Sequence, residues 1–255
     1  MRPNQTKRLL AEGKPAIGLF CSTASAFVAE ALGHAGYDFV IVDLQHGENN
    51  LGNLQNMLQA LSSTPATPLV RVPANMAVYI QRSLDLGSYG IVVPLVSTRE
   101  EAEGVVQSVR YAPAGARSFG PLRGMLYAGS DYFAKSADEL LTLVMLETAE
   151  AAKNAEEILL TPGIDGAFIG PNDLAITLGF SLGVPERAEM PKPVEDAIQG
   201  ILGAAKRTGK AAGIATFDLA SAKTRIAQGF TFVSVMSDIR MIRMTAAETL
   251  KAIKR

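Results

Sequence analysis

The chain has 255 residues, 48% of them hydrophobic, and 24 Lys and Arg against 25 Asp and Glu leave a formal net charge of −1. That balance gives no electrostatic case for a nucleic-acid partner or an anionic membrane surface. No uncharged apolar run reaches the roughly 20 residues needed to span a bilayer, so a small-molecule site in a single domain over residues 1–255 is expected, at the usual size of an α/β barrel.

The opening segment, MRPNQTKRLLAEGK, is charged and lacks the apolar centre of a secretory signal. Cys21 is the sole cysteine, so no intrachain disulfide can form and a reducing, cytoplasmic setting is expected. Residues 4–12 have the spacing of a short amphipathic helix. Beyond them, β-rich runs alternate with segments of helical period. Strands are predicted over 16–21, 39–44, 68–72, 90–96, 141–146, 166–169, 211–216 and 230–236, and helices over 26–34, 51–61, 78–86, 99–109, 149–160, 194–208, 219–227 and 239–254. Gly36, Gly87, Gly163, Gly209 and Gly229 fall just before strands, where helix C-caps belong. This alternation predicts the α/β class and a closed parallel (β/α)8 TIM barrel rather than an open sheet.

Two segments stretch the spacing, and long ordered loops tend to carry function or subunit contacts. Residues 112–138 contain RSFGPLRGMLYAGSDYF, and residues 179–193 follow the sixth strand. The first precedes a strand, which places it at the N-terminal face of the barrel unless it folds back or reaches a neighbouring subunit. Within it, Arg117 and Arg123 are candidates for holding a substrate carboxylate or a neighbouring subunit, or are simply solvated.

Barrel chemistry gathers at the C-terminal ends of the strands. Those ends carry Phe20, Asp43 with His46 three residues on, Arg71, Glu147, Asp173, and then Thr216, Phe217 and Ser234. The stretch LTLVMLETAEAAKNAEEILLTPGIDGAFIGPND holds the fifth and sixth strands, ending in Glu147 and in Gly170-Pro171-Asn172-Asp173. If those strands are adjacent and parallel, their two carboxylates emerge at one edge. Such a pair outlines a divalent-cation site with several positions left open, suited to Mg²⁺ or Mn²⁺; Co²⁺ is a further candidate. Taken singly, either acid could merely cap the following helix.

Of the two histidines, His34 ends the first helix and reads as structural, whereas His46 stands beside Asp43 and is placed to take a proton, with the carboxylate orienting its ring. Arg71, within LVRVP, must face anions, either structural carboxylates or charge developing on a substrate. Asp85, in SLDLG, reads on residues alone as a solvated or capping acid. No lysine stands at a strand end, which argues against a Schiff base, and the seventh and eighth ends lack the glycine-rich turn of a barrel phosphate site.

The segments VDLQHGEN, PLVRVP, LDLGSYGIVVPLV, LETAEAAKN and FIGPNDLAITLG resemble the HpcH/HpaI family of class II pyruvate aldolases, itself similar to the phosphoenolpyruvate/pyruvate barrels, over almost the whole chain. The resemblance implies cleavage of 4-hydroxy-2-oxo acids to pyruvate or hydroxypyruvate and an aldehyde. It implies Glu147 and Asp173 as metal ligands, His46 as base oriented by Asp43, Arg71 as enolate stabiliser, and Asp85 as a group raising the basicity of the histidine. Gly170, Asn172 and Asp173 would hold the 2-oxo acid, with Phe20 and Met145 shaping its pocket. It also implies a homohexamer with exchanged C-terminal helices. Phe20 replaces the family's usual tryptophan, Met145 a glutamine and Gln45 a glutamate. An acyl-CoA ester lyase of the citrate-lyase-like branch and a barrel that only binds a 2-oxo acid are the alternatives.

Overall fold

The structure is a computed structural model that describes residues 1–181 and 190–254. After α1 (Gln5–Ala11) the chain runs β1 (Ala16–Cys21), α2 (Ala26–Gly33), β2 (Phe39–Asp43), α3 (Leu51–Leu61), β3 (Thr67–Arg71), α4 (Ala77–Asp85), β4 (Gly90–Val93) and α5 (Arg99–Val109). Then follow α6 (Leu122–Ala128), α7 (Tyr132–Glu139), β5 (Leu141–Met145), α8 (Ala149–Lys153), α9 (Ala155–Leu159), β6 (Gly166–Ile169) and α10 (Pro171–Thr177). The chain ends with α11 (Lys192–Thr208), β7 (Ala211–Thr216), α12 (Leu219–Gln228), β8 (Phe232–Ser237) and α13 (Asp238–Ile253).

The strands form one closed parallel barrel in sequence order, sealed by β8 against β1 with Ala16 opposite Phe232 and Ile17 opposite Val233. The predicted (β/α)8 barrel is therefore present. Both faces of each strand meet apolar neighbours, which is why the strands read as continuous hydrophobic runs. Inward side chains, among them Phe39, Ile41, Leu69, Val92, Leu143, Phe168 and Phe232, fill the barrel, while Val40, Val42, Val70 and Ile91 join the layer beneath the helices. Phe39 and Phe232 stack with ring centroids 3.9 Å apart, and Phe168 meets Phe232 edge-on at 5.6 Å. Gly18 makes room for this stack, since a Cβ there would come within 2.3 Å of the Phe39 ring. Leu9 and Leu10 of α1 pack against the inner cluster and close the barrel from below.

Several predicted boundaries move. The fourth strand stops at Val93 rather than 96, because Leu95 adopts a left-handed backbone at φ +55°. The helix predicted over 149–160 is broken at Asn154, whose side-chain amide donates to the Ser97 carbonyl at 2.9 Å. Residues 112–138 are not a bare loop. They contain α6 and most of α7, and they do lie at the N-terminal face, where the Arg2 N–H donates to the Ala128 carbonyl at 2.8 Å and the amino terminus pairs with Asp131. The long segment expected over 179–193 falls mostly outside the described residues. Among the described residues no helix is long and apolar enough to cross a membrane.

Truncating Phe232 to Ala removes the central ring of the inner cluster. It should cost about 3–5 kcal/mol of unfolding free energy by urea titration; a loss below about 1 kcal/mol would mean that the barrel interior is not the tight stack described.

Candidate active site

Asp43 and Arg71 end β2 and β3 and are paired in register, so their side chains emerge side by side. Arg71 donates from Nε to Asp43 Oδ1 at 2.8 Å and from Nη2 to Oδ2 at 2.6 Å. This bidentate fork neutralises a carboxylate only 2% exposed. The guanidinium also lies 4.4 Å over the Phe20 ring. Among the described residues no hydrogen bond engages its Nη1, and Arg71 lines a cavity of 370 Å³ at the mouth of the barrel. Of the two anion types open to Arg71, the structural carboxylate is thus present.

Asp43 Oδ1 also accepts from the backbone N–H groups of Gln45 at 3.0 Å and His46 at 3.3 Å. The expectation that Asp43 orients the imidazole ring is not met in this form. Its two oxygens are occupied by Arg71 and by the turn, so it sets the backbone that carries His46 instead. The His46 side chain lines the same cavity and is exposed at its rim.

Across the cavity, Glu147 lies two residues beyond β5 and is 2% exposed. Its Oε1 accepts the Leu95 N–H at 2.9 Å, a donor aimed by the left-handed backbone of that residue. A side chain on Gly170 would bring its Cβ to 2.4 Å from Glu147 Oε2, so the absence of one leaves that oxygen its space. Gly170, Asn172 and Asp173 line the cavity, and Glu147 lies directly behind Gly170. Burial, and then the charge of Asp173, push the Glu147 carboxyl up to about 7, against the opposing pull of the Leu95 N–H and Arg71.

The arrangement fits a divalent cation. The fold buries one carboxylate, sets a second near enough for its charge to act on the first, and leaves the Oδ1 of Asn172 buried without a partner among the described residues. No third His, Cys, Asp or Glu joins them among the described residues. A site holding only two carboxylates keeps positions for water and substrate oxygens, the habit of Mg²⁺ and Mn²⁺.

Phe20 and Met145 line the cavity as expected, over Phe168. Asp85 does not. It ends α4, at the face where the strands begin, and accepts from Arg117 Nη2 at 2.7 Å. Arg117, expected in a flexible loop, is buried and also donates to the Tyr132 hydroxyl, while Arg123 donates to the Leu86 carbonyl and to Ser62. Neither reaches the cavity of its own chain, because the segment that carries them covers the opposite end of the barrel. His34 caps the end of α2, a structural place as expected.

Sequence reading missed Leu95, since nothing in a leucine announces a positive φ, a backbone state usually left to glycine or asparagine. It also missed Asp238, 2% exposed, whose carboxylate accepts from the Ser22 N–H at 2.9 Å and the Thr23 N–H at 3.0 Å. Only its place directly after the Ser237 N-cap could have hinted at this.

The HpcH/HpaI aldolase/citrate lyase family model matches residues 16–244. The hydroxypyruvate/pyruvate aldolase of Rhizorhabdus wittichii is 38% identical over 97% of both chains. The 5-keto-4-deoxy-D-glucarate aldolase of Klebsiella pneumoniae is also 38% identical, over 99% of this chain and 98% of its own. Among solved structures, an HpcH/HpaI aldolase/citrate lyase family protein from Burkholderia cenocepacia superposes with a TM-score of 0.90 at 31% identity, covering 99% of this chain and 100% of that one. The chain belongs to the HpcH/HpaI family. It is an aldolase, a carbon–carbon lyase acting on small molecules.

The raised Glu147 carboxyl sets the pH response of the metal-free protein. Its folded pKa lies above the ordinary carboxyl value of 4.5, so the folded state holds the proton more tightly and loses stability as pH rises from about 4.5 through about 7. The full loss is about 3 kcal/mol. Unfolding titrations at pH 5 and pH 8 should show this component in the wild type and lack it in Glu147→Gln; the same pH response in both would contradict the assignment.

Proposed function

We propose that this chain is a class II aldolase that reversibly cleaves 4-hydroxy-2-oxo acids to pyruvate or hydroxypyruvate and an aldehyde. One observation supports the reading: Asp173, whose charge acts on the buried carboxyl of Glu147, lines the same cavity as Arg71 and His46. Glu147 and Asp173 would hold the divalent ion, and Mg²⁺, Mn²⁺ and Co²⁺ all suit such oxygen donors. When bound, the ion acts as a Lewis acid toward the 2-oxo group and makes the C3 proton of the donor more acidic.

The chain's own groups supply the rest. The N–H groups of Asn172 and Asp173, in the first turn of α10, have no partner within the helix and would receive the donor's carboxylate. His46, at the rim, takes the C3 proton in one direction and returns it in the other. Arg71 keeps Nε and Nη2 on Asp43 and turns Nη1 toward the enolate oxygen, a donor held in place before the charge develops. Phe20, Met145 and Phe168 exclude water from the donor end. No lysine lines the cavity among the described residues, in keeping with proton abstraction rather than a Schiff base.

We further propose a homohexamer with exchanged C-terminal helices. Of the 16 residues of α13 only Asp238 is buried, and Ile242, Leu250 and Ile253 are 52%, 52% and 76% exposed. A second copy would cover that face. Asp85 can approach a histidine only from such a neighbour.

Exchange of the pyruvate C3 protons for deuterium, followed by NMR with metal and with chelator, tests the donor half-reaction without knowledge of the acceptor. Exchange should require metal and fall by about 10²–10⁴ in His46→Ala, with metal binding retained. Exchange at the wild-type rate in that variant would remove His46 from the mechanism.

A further inference from the structure

We propose that Asp238 is a positioning residue that holds His46 where its proton transfer needs it, acting through the turns that follow β1 and β2. The proposal deepens, and rests on, the reading of His46 as the base of the aldolase.

The His46 ring makes no hydrogen bond among the described residues, so its place at the cavity is set by the turn that carries it. That turn is tied on two sides. On the first, Asp43 Oδ1 accepts the Gln45 N–H and, at a longer 3.3 Å, the His46 N–H. On the second, the Glu48 N–H donates to the Ser22 carbonyl at 2.8 Å. The buried Asn49 amide adds bonds to the Cys21 and Thr23 carbonyls at 3.1 and 3.3 Å. Between them Gly47 lies so near the β1 turn that a Cβ would come within 2.7 Å of the Ser22 carbonyl oxygen. His46 therefore rides on residues 21–23.

Those residues are held in turn by Asp238, the first residue of α13, across the seam between β1 and β8. Its Oδ1 accepts the Ser22 N–H at 2.9 Å and the Ile239 N–H at 2.8 Å. Its Oδ2 accepts the Thr23 N–H at 3.0 Å, the Thr23 hydroxyl at 2.6 Å and the Cys21 thiol at 3.6 Å. Burial, and then the charge of Asp238, push the Cys21 thiol well above its ordinary value, so it stays a donor. Each of these partners gives a proton, and both oxygens must accept. An amide offers a single acceptor oxygen and aims N–H donors at whatever faces its nitrogen. Asp238→Asn thus keeps the shape and loses the anchor of either Ser22 or Thr23. A shift of about 1 Å in a reacting group can cost about 10²-fold. None of these hydrogen bonds reaches β5 or β6, so the groups expected to hold the metal and the donor are left alone.

Pyruvate C3 proton exchange in the Mn²⁺-loaded enzyme is the test, with Asp238→Asn and Asn49→Ala made singly and each combined with His46→Ala. Asp238→Asn should lose about tenfold to a hundredfold in the exchange rate constant, and Asn49→Ala several-fold, with Mn²⁺ affinity and the KM for pyruvate unchanged. In the His46→Ala background neither should lower exchange further, because the group they position is gone. An equal further loss in that background, or a KM and Mn²⁺ affinity that weaken in step with the rate, would indicate general damage and overturn the proposal; so would undiminished exchange in both single variants. Asn49→Ala acts by the same route and keeps the test open if Asp238→Asn does not fold. A second readout needs no turnover. His34 is the only other histidine, so the His46 ring signals in the NMR spectrum are assigned by their loss in His46→Ala. They should shift or broaden in both single variants while those of His34 stay; unmoved His46 signals would contradict the proposal. Absence of exchange in the wild type would instead count against the aldolase reading, with the ring signals still deciding the positioning.

Discussion

Glu147 carries a charge that the fold does not neutralise. Its carboxylate is 2% exposed, receives one backbone N–H, and has the like charge of Asp173 for company. Burying a lone carboxylate costs several kcal/mol unless it is paired or coordinated. The neighbouring fork, Asp43 with Arg71, shows the same barrel closing its other charge account with two short hydrogen bonds. That contrast is the ground for our proposal that a cation completes the β5–β6 edge.

The rest of the site follows from barrel closure. With β8 sealed to β1, every strand ends at one rim, and residues far apart in sequence converge: Asp43, Arg71, Glu147 and Asp173 come from four strands or the turns after them. Register decides which of them touch. Asp43 lies opposite Arg71, and a fork from Nε and Nη2 neutralises the buried acid. Strain is placed where it aims a group: Leu95, at φ +55°, turns its N–H onto Glu147. Such a residue costs on the order of 1–2 kcal/mol and persists where the surroundings hold it.

Much of this was legible in the residues. Eight apolar runs separated by helical periods define the barrel, because a parallel strand buried on both faces has little choice of composition. The acids at 147 and 173 and the Arg71 side chain stood out for the converse reason, as charges at the ends of such runs. Local pattern could not show what depends on distant partners. Asp85 and Arg117 are 32 residues apart and form a buried pair at the opposite face, which no periodicity reveals. Asp43 was assigned to the histidine ring by proximity in sequence, yet the arginine of the next strand claims it. Segment 112–138 looked like a loop because its helices, α6 and α7, are short, with Gly120, Gly124 and Gly129 in and around the first of them.

Manganese binding followed by electron paramagnetic resonance tests the paired carboxylates most directly. The account predicts one tightly bound Mn²⁺ per chain, with the affinity lost by at least about tenfold in both Glu147→Gln and Asp173→Asn. Undiminished binding in either variant would contradict it, for then the two strand ends would not share an ion.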